Sequence, residues 1–271
     1  MNNKKDKQKN SHKQLPKSVL KKFSTREYRT DEKGYCVVNN MIYRMDMQGN
    51  MTYVDIKKAN AEKGYYEMGV EEQLSYYESA FGEVTRKIIK MCTNKSQNKH
   101  IITSKDLTTI RKYCALCIIR SEVFVDAVRR HSDYIDLIAN EPQNIVAGAY
   151  FDESEIIDNF FNDFNFTVLT SSEEGRFILP QSGIIAYPCW TDCDIIIPIS
   201  TKVAIWLAKI NFIDDKAKTL YAYKINDKVV DLLNKKFVEF EKKYNKKAIY
   251  AQNKYDLEKY REFLISAGEV R

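Results

Sequence analysis

The chain has 271 residues, of which 44% are hydrophobic, and this is enough for one large domain with a sizeable core. Glycine and proline are scarce, at 9 and 5 residues, which excludes a fibrous or largely disordered protein. No run of about 18 apolar residues is present, and the N-terminus lacks an apolar signal core. We therefore expect a cytoplasmic protein with no membrane partner, whose six cysteines are reduced thiols.

The net charge of +6 is concentrated at the N-terminus, because residues 1–14 contain five lysines and one aspartate. Lysine, asparagine and glutamine dominate this segment, so we predict a disordered basic tail over 1–14 and a single α+β domain over 15–271. A basic tail can bind nucleic-acid phosphates without sequence preference. More commonly, such a tail is a solvated arm, and both interpretations stay open.

The first predicted elements are a short helix or ordered arm and a small β-meander. Leu15 to Phe23 has apolar residues at helical spacing, with Pro16 suited to the first turn. Between Tyr35 and Asp55 the pattern changes to strands, with turns predicted at Asn39-Asn40 and at Gln48–Asn50.

Two long helices follow. The first has an apolar stripe in steps of three or four residues, namely Val70, Leu74, Tyr77, Phe81, Val84, Ile88 and Met91. The second begins at Thr103, where Asp106 completes a capping-box pattern, and it is predicted to run to about Asp133. Its middle, Tyr113–Ile119, is apolar on every side, which predicts a buried helix at the centre of the fold.

The C-terminal half alternates strands with helices. A helix is predicted over Asp152–Phe161, an amphipathic helix over Asp227–Tyr244, and a last helix between the capping residue Asn253 and Gly268. Strands are predicted at Phe164–Leu169, Arg176–Leu179, Gly183–Tyr187, Asp194–Ile199, Val203–Leu207 and Ala248–Ala251. The fold class is α+β: a central helical layer with a buried long helix, an N-terminal β-meander and a C-terminal, mostly antiparallel sheet.

Several blocks in this order resemble a bacterial family known only as a domain of unknown function, DUF4238. They are Pro16, Leu20 and Phe23; Gly64–Glu67; Glu72 and Glu78; Arg120-Ser121; Phe177–Gly183; Asp194–Thr201; and Ala248–Tyr250. Two positions depart from the family pattern: Lys13 occupies the usual histidine position, with His12 one place earlier, and Gln181 occupies the usual aspartate position. The resemblance implies no reaction.

Arg120 is the sharpest candidate for a functional residue. It lies four residues after Leu116, on or near the buried side of the helix, where a permanently charged guanidinium needs acidic or phosphate partners. Glu78 is the natural partner, with Glu72 and Glu67 as further candidates. The alternative is a buried structural arginine–glutamate pair.

Other candidate groups have simpler interpretations beside the functional one. His12 could act as a general base because its pKa lies near neutral pH, although it also suits an exposed loop. Cys114 and Cys117 could bind zinc, but their place inside an apolar helix favours core packing. There is no dinucleotide-binding fingerprint, P-loop, zinc-protease motif or serine-hydrolase elbow.

Two hypotheses follow from these residues. The first is an intracellular effector acting on nucleic acid, related to phage defence or toxins, that cleaves phosphodiesters. In that mechanism Glu72 and Glu78 hold Mg²⁺ or Mn²⁺ or orient water, Arg120 neutralises phosphate charge, and His12 transfers a proton. The second is a non-catalytic binding or sensor module that recognises a protein or nucleic-acid partner.

Overall fold

The computed structural model describes residues 10–12, 15–63, 65–66, 68–93, 100–121, 164–187, 194–208, 219–220, 222–245 and 247–266. Over these residues the chain combines helices with two five-stranded and two two-stranded sheets. The predicted α+β class is confirmed. None of the helices in these ranges is long and apolar enough to cross a lipid bilayer.

The described helices and strands are numbered in chain order. The helices are α1 (Lys17–Leu20), α2 (Ile56–Ala59), α3 (Met68–Thr93), α4 (Ser104–Ile119), α5 (Asp227–Phe240) and α6 (Lys254–Ser266). A 3₁₀ turn over Lys21–Phe23 follows α1, and a π-helical turn over Glu241–Asn245 follows α5. The strands are β1 (Asn10–His12), β2 (Thr25–Thr30), β3 (Cys36–Asp46), β4 (Met51–Asp55), β5 (Ala61–Lys63), β6 (His100–Ile101), β7 (Asn165–Ser171), β8 (Leu179–Pro180), β9 (Ile185–Tyr187), β10 (Asp194–Pro198), β11 (Val203–Ala208), β12 (Thr219–Leu220), β13 (Ala222–Ile225) and β14 (Ala248–Ala251).

The first sheet is built around the long strand β3. Its strand order is β2-β3-β14-β8, and β4 also pairs with β3. Met41 pairs with both Thr25 of β2 and Asp55 of β4, so these two strands lie on opposite edges of β3. The predicted turn at Asn39-Asn40 is wrong, because both residues continue β3 and pair with β2, a strand that the sequence did not predict.

The turns of this sheet use aspartate and glycine. The predicted turn at Gln48–Asn50 is confirmed, with Gly49 at φ 81° and the Asp46 carboxylate accepting hydrogen bonds from two backbone amides. The β2–β3 connection has the same design, with Gly34 at φ 82° and Asp31 accepting two backbone hydrogen bonds. Glycine suits both turns because it adopts positive φ without steric strain.

The second sheet has the order β13-β7-β11-β10-β9 and is antiparallel except for the parallel pair β13–β7. The predicted strand β10 is buried throughout and has Pro198 as its last residue. The strand predicted over Arg176–Leu179 is largely replaced by irregular backbone. There, the Ile178 amide donates a hydrogen bond to the Asn234 side chain rather than to a neighbouring strand. Of the predicted strand, only Leu179 is in a strand, as the first residue of β8.

Helices α3 and α4 pack against each other as the apolar stripe predicted. The rings of Phe81 and Tyr113 stack with centroids 3.6 Å apart and planes 5° apart. The capping box of Thr103 and Asp106 is present. Helix α4 ends at Ile119, earlier than predicted, and residues 122–150 lie outside the described ranges.

The remaining predicted elements differ in how far the structure describes them. Helix α6 begins as predicted, with the amide of Asp256 donating to the Asn253 side chain. The predicted helix Asp152–Phe161 and the helix end at Gly268 lie outside the described residues. At the N-terminus, β1 pairs with β5, so residues 10–12 of the segment predicted to be disordered form a strand. The proposed single domain over 15–271 stays a prediction.

Candidate functional site

The candidate site lies where α4 ends against α3. Arg120 is the C-terminal capping residue of α4, and its Nη1 donates a hydrogen bond of 2.7 Å to Oε1 of Glu78. The Arg120 side chain is only 3% exposed and the Glu78 side chain 18%. The predicted pairing of these two residues is confirmed.

Tyr66 contributes a third side chain to this cluster. The Nε of Arg120 donates to the Tyr66 hydroxyl at 3.0 Å, and the guanidinium carbon lies 5.3 Å from the centre of the Tyr66 ring. Tyr66 is itself buried. Arg120 therefore ties α4 both to α3 and to the segment that precedes α3.

The charges in the cluster support one another. Burial raises the pKa of the Glu78 carboxyl, and the neighbouring Arg120 charge opposes that rise. Burial also raises the pKa of Tyr66, against the same opposing charge. Burial alone would lower the pKa of Arg120, but Tyr66 and Glu78 raise that pKa by a larger amount. The guanidinium therefore stays protonated.

The second acid of the cluster is Glu71 rather than Glu72. Glu71 precedes Glu78 by seven residues, close to two helical turns, whereas Glu72 lies about 120° away around the helix. Accordingly Glu71 is half-buried and acts on the pKa of both Glu78 and Tyr66, while Glu72 is exposed. Glu72 and Glu78 therefore do not face each other, and their role as metal ligands stays a prediction.

His12 is the last residue of β1. In the β1–β5 pair, His12 lies opposite Ala61, five residues before Tyr66. The N-terminal strand thus runs beside the segment that leads into the cluster. The proton-transfer role of His12 stays a prediction, and Glu67 lies outside the described residues.

Replacing Arg120 by alanine should reduce the free energy of unfolding by about 3 kcal/mol, because Glu78 would be left without its cation. Chemical denaturation measures the change. Arg86→Ala, on the exposed side of α3, is the matched control and should change stability by less than about 0.5 kcal/mol. In a double-mutant cycle with Glu78→Gln, the double variant should lose less than the two single losses combined. Strict additivity would contradict the pairing.

One turn before Arg120, the turn at Gly183 lies against α4 and beside Leu15. Gly183 has φ 80°, and a Cβ there would lie 3.1 Å from Leu15 Cδ2 and 3.3 Å from Cys117 Sγ. Gly183 therefore lies close to both Leu15 and α4. Cys114 and Cys117 are buried, which confirms their predicted packing in the core, and burial raises the pKa of Cys117 to about 12.

Glu241 is a fully buried acid that the sequence reasoning missed. Its Oε1 accepts a hydrogen bond of 2.6 Å from the Ser182 amide. Burial raises its pKa to about 7, and Ser182 and Lys247 only partly oppose this. A signal was present, since Glu241 follows the buried Val230 by 11 residues, about three turns, and thus continues the apolar side of α5.

The pH dependence of stability should report on Glu241. Because its folded pKa lies above the ordinary carboxyl value, its contribution to stability is full below that ordinary value and is lost as the pH rises through about 7. Between pH 5.5 and 8 the loss is about 2 kcal/mol. Denaturant unfolding should show this slope in the natural chain and a flatter one in Glu241→Gln. The exposed control Glu262→Gln should keep the full slope, and an equal slope in all three proteins would exclude this role.

A cavity of about 310 Å³ lies elsewhere, between the loop at 174–176 and the first turns of α5 and α6. Its lining includes Arg176, Asp231 and Asp256 but none of the predicted site residues. The loop is held by Lys202, whose Nζ donates to the carbonyl oxygens of Ser172, Glu173 and Gly175. The Arg120 cluster is therefore separate from this cavity.

Comparison with known proteins identifies the family. The model of a family described as proteins of unknown function, DUF4238, matches residues 14–254. The chain belongs to the DUF4238 family. No curated protein and no solved structure gave a match.

Gln181 stands at the position where the sequence resemblance led us to expect the aspartate of the family. Gln181 is buried; its Nε2 donates to Asn60 Oδ1 at 2.9 Å, and its Oε1 accepts from the Tyr250 hydroxyl at 3.2 Å. An amide can donate and accept at once, which an ionised aspartate cannot do. Gln181 thus connects the turn before Gly183 to β14 and to the end of α2. The Lys13 position lies outside the described residues.

Proposed function

We propose that this DUF4238 protein is a non-catalytic binding module that recognises a protein partner. In this proposal the Arg120 cluster stabilises the fold, and the binding surface is the β-ribbon, defined as residues 25–40. The observation that supports this proposal is the difference between the Arg120 cluster and the ribbon. The charged cluster is buried and internally bonded, whereas the ribbon is exposed and presents apolar side chains.

The interior of the cluster supports the first part of the proposal. Two guanidinium nitrogens of Arg120 donate to Glu78 and Tyr66, and the side chain is 3% exposed. A phosphate-binding arginine instead presents its hydrogen-bond donors to the ligand. Holding two helices and the segment before them in register is the role that these contacts fit.

The ribbon supports the second part. It consists of β2, the Asp31–Tyr35 turn and the first half of β3, and β14 pairs only with the second half of β3. A two-stranded ribbon in water is marginally stable by itself. Nevertheless Tyr28 is 67% exposed, Tyr35 68% and Val38 43%. Exposed apolar groups on a projecting ribbon are typical of a contact surface.

The charge of the ribbon favours a protein over a nucleic acid. Three basic and three acidic side chains lie between residues 25 and 40, so the ribbon has no net charge. Nucleic-acid surfaces carry an excess of lysine and arginine because they neutralise phosphates. The six charged residues are Arg26, Glu27, Arg29, Asp31, Glu32 and Lys33.

Photo-crosslinking tests the surface. A benzophenone amino acid placed at Tyr28 should form covalent adducts with protein in living cells, since this side chain would lie in the contact. The same amino acid at Tyr76, which is 71% exposed on α3, is the matched control and should give none. The absence of adducts from position 28, or equal adducts from both positions, would refute the proposal.

Metal-assisted phosphodiester cleavage is a second candidate, favoured by one observation. Glu78 keeps 18% exposure beside Arg120 and is joined by the charge of Glu71. The roles of Mg²⁺ or Mn²⁺, of His12 and of the basic tail as a nucleic-acid contact remain predictions under this candidate.

A nuclease assay distinguishes the two candidates. Cleavage predicts RNA or DNA hydrolysis that needs Mg²⁺ or Mn²⁺ and that falls by about a hundredfold or more in Glu78→Gln, since a carboxylate ligand or base would be lost. Glu83→Gln, on the exposed side of α3, should keep full activity. The binding-module proposal predicts no metal-dependent hydrolysis by the natural chain.

A further inference from the structure

We infer that the ribbon binds a second copy of this chain. Strand β2 of one copy pairs antiparallel with β2 of the other around a twofold axis at Tyr28, which gives a four-stranded sheet with β3 on each outer side. This inference rests on the proposed function and names the partner at the same surface.

The outer edge of β2 is available for pairing. In the described part of the chain β2 stands at the end of its sheet, with β3 as its strand neighbour. The amide of Asp31 donates to the carbonyl of Tyr35 across the ribbon at 2.9 Å. Because backbone groups alternate in direction along an antiparallel strand, the amides and carbonyls of Arg26, Tyr28 and Thr30 face away from β3.

Around a twofold axis at Tyr28, the outward-facing backbone groups of one copy lie opposite the outward-facing backbone groups of the other. In that register Tyr28 lies opposite Tyr28 of the second copy, and Arg26 lies opposite its Thr30. The two strands then form about six backbone hydrogen bonds. Adding a strand to an exposed sheet edge is a common mode of recognition.

Charge selects this register over the alternatives. With the axis at Tyr28, Glu27 lies opposite Arg29 of the second copy, and this contact occurs twice. The smallest shift that keeps the outward groups in phase moves the axis to residue 27 or 29. It would then place Glu27 against Glu27, or Arg29 against Arg29, and directly opposed like charges destabilise a sheet.

The apolar side chains support the same arrangement. Tyr28 pairs with Val38 across the ribbon, and paired residues share one face of a sheet. In the four-stranded sheet the two Tyr28 rings would be neighbours, with one Val38 on each side. The Tyr28 and Val38 side chains of both ribbons would thus form one continuous apolar cluster across the twofold axis.

The experiment uses the purified full-length chain, with mass measured by light scattering during gel filtration over a dilution series. The natural chain should elute at twice the mass of one chain. Glu27→Arg alone and Arg29→Glu alone should each dissociate at least about tenfold more readily, since each places like charges opposite one another twice. Circular dichroism confirms that both variants are folded.

Mixing the two single variants is the decisive experiment. In a mixed pair, arginine at 27 of one copy faces glutamate at 29 of the other, and arginine at 29 faces glutamate at 27. Dimers should therefore return on mixing. Glu27 also bonds Arg29 of its own strand, but mixing does not restore that internal contact. Glu258→Lys, at the exposed Lys254–Glu258 pair of α6, is the control and should stay dimeric.

Three results would overturn the inference: a monomeric natural chain, dimers that survive both single reversals, or variants that stay monomeric when mixed. A monomeric chain that crosslinks from position 28 to a different protein would overturn the second copy as partner and keep the binding module. The absence of any adduct from position 28 would overturn both.

Discussion

The fold depends on satisfying one positive charge inside it. Arg120 does not lose its proton, and its side chain is almost fully removed from water, so Glu78 and Tyr66 must be held within hydrogen-bond reach. Those contacts set the position of α4 along α3 and bring the segment before α3 to the end of α4. The stacked rings of Phe81 and Tyr113 lie in the same interface and supply the apolar part of the packing.

Buried acids and amides connect the rest of the interior in a similar way. The Glu241 carboxylate accepts a hydrogen bond from the Ser182 amide, and the Gln181 side chain forms hydrogen bonds with Asn60 and Tyr250. The turn that contains Gln181 and Ser182 is thereby tied to α2, β14 and the end of α5. Gly183, which follows Ser182 in this turn, lies close to Leu15 and to Cys117 of α4. Buried polar groups of this kind specify one arrangement because every alternative leaves a group without its partner.

The difference in burial between the Arg120 cluster and the ribbon explains why the charged cluster and the binding surface are separate in our proposal. The cluster uses its hydrogen-bonding capacity on its own chain, and its exposed fraction is small. The ribbon has the opposite character, with little burial, no net charge and four large apolar side chains exposed to water. A function that requires contact with another molecule fits the ribbon better than it fits the interior.

The sequence alone was sufficient wherever the deciding interaction is local. The apolar stripe of α3, the capping box of α4 and the glycine turn at Gly49 depend on neighbours within one or two turns, and all three were predicted correctly. Partners across the fold were predictable only in part: the Arg120–Glu78 pair was predicted correctly, whereas the contacts of Gln181 and Glu241 were not. Asn39 and Asn40 suit a turn, but the pairing with β2 extends them into β3. Local spacing fixes which elements form, whereas the choice among chemically similar partners depends on distances that arise only when the chain is folded.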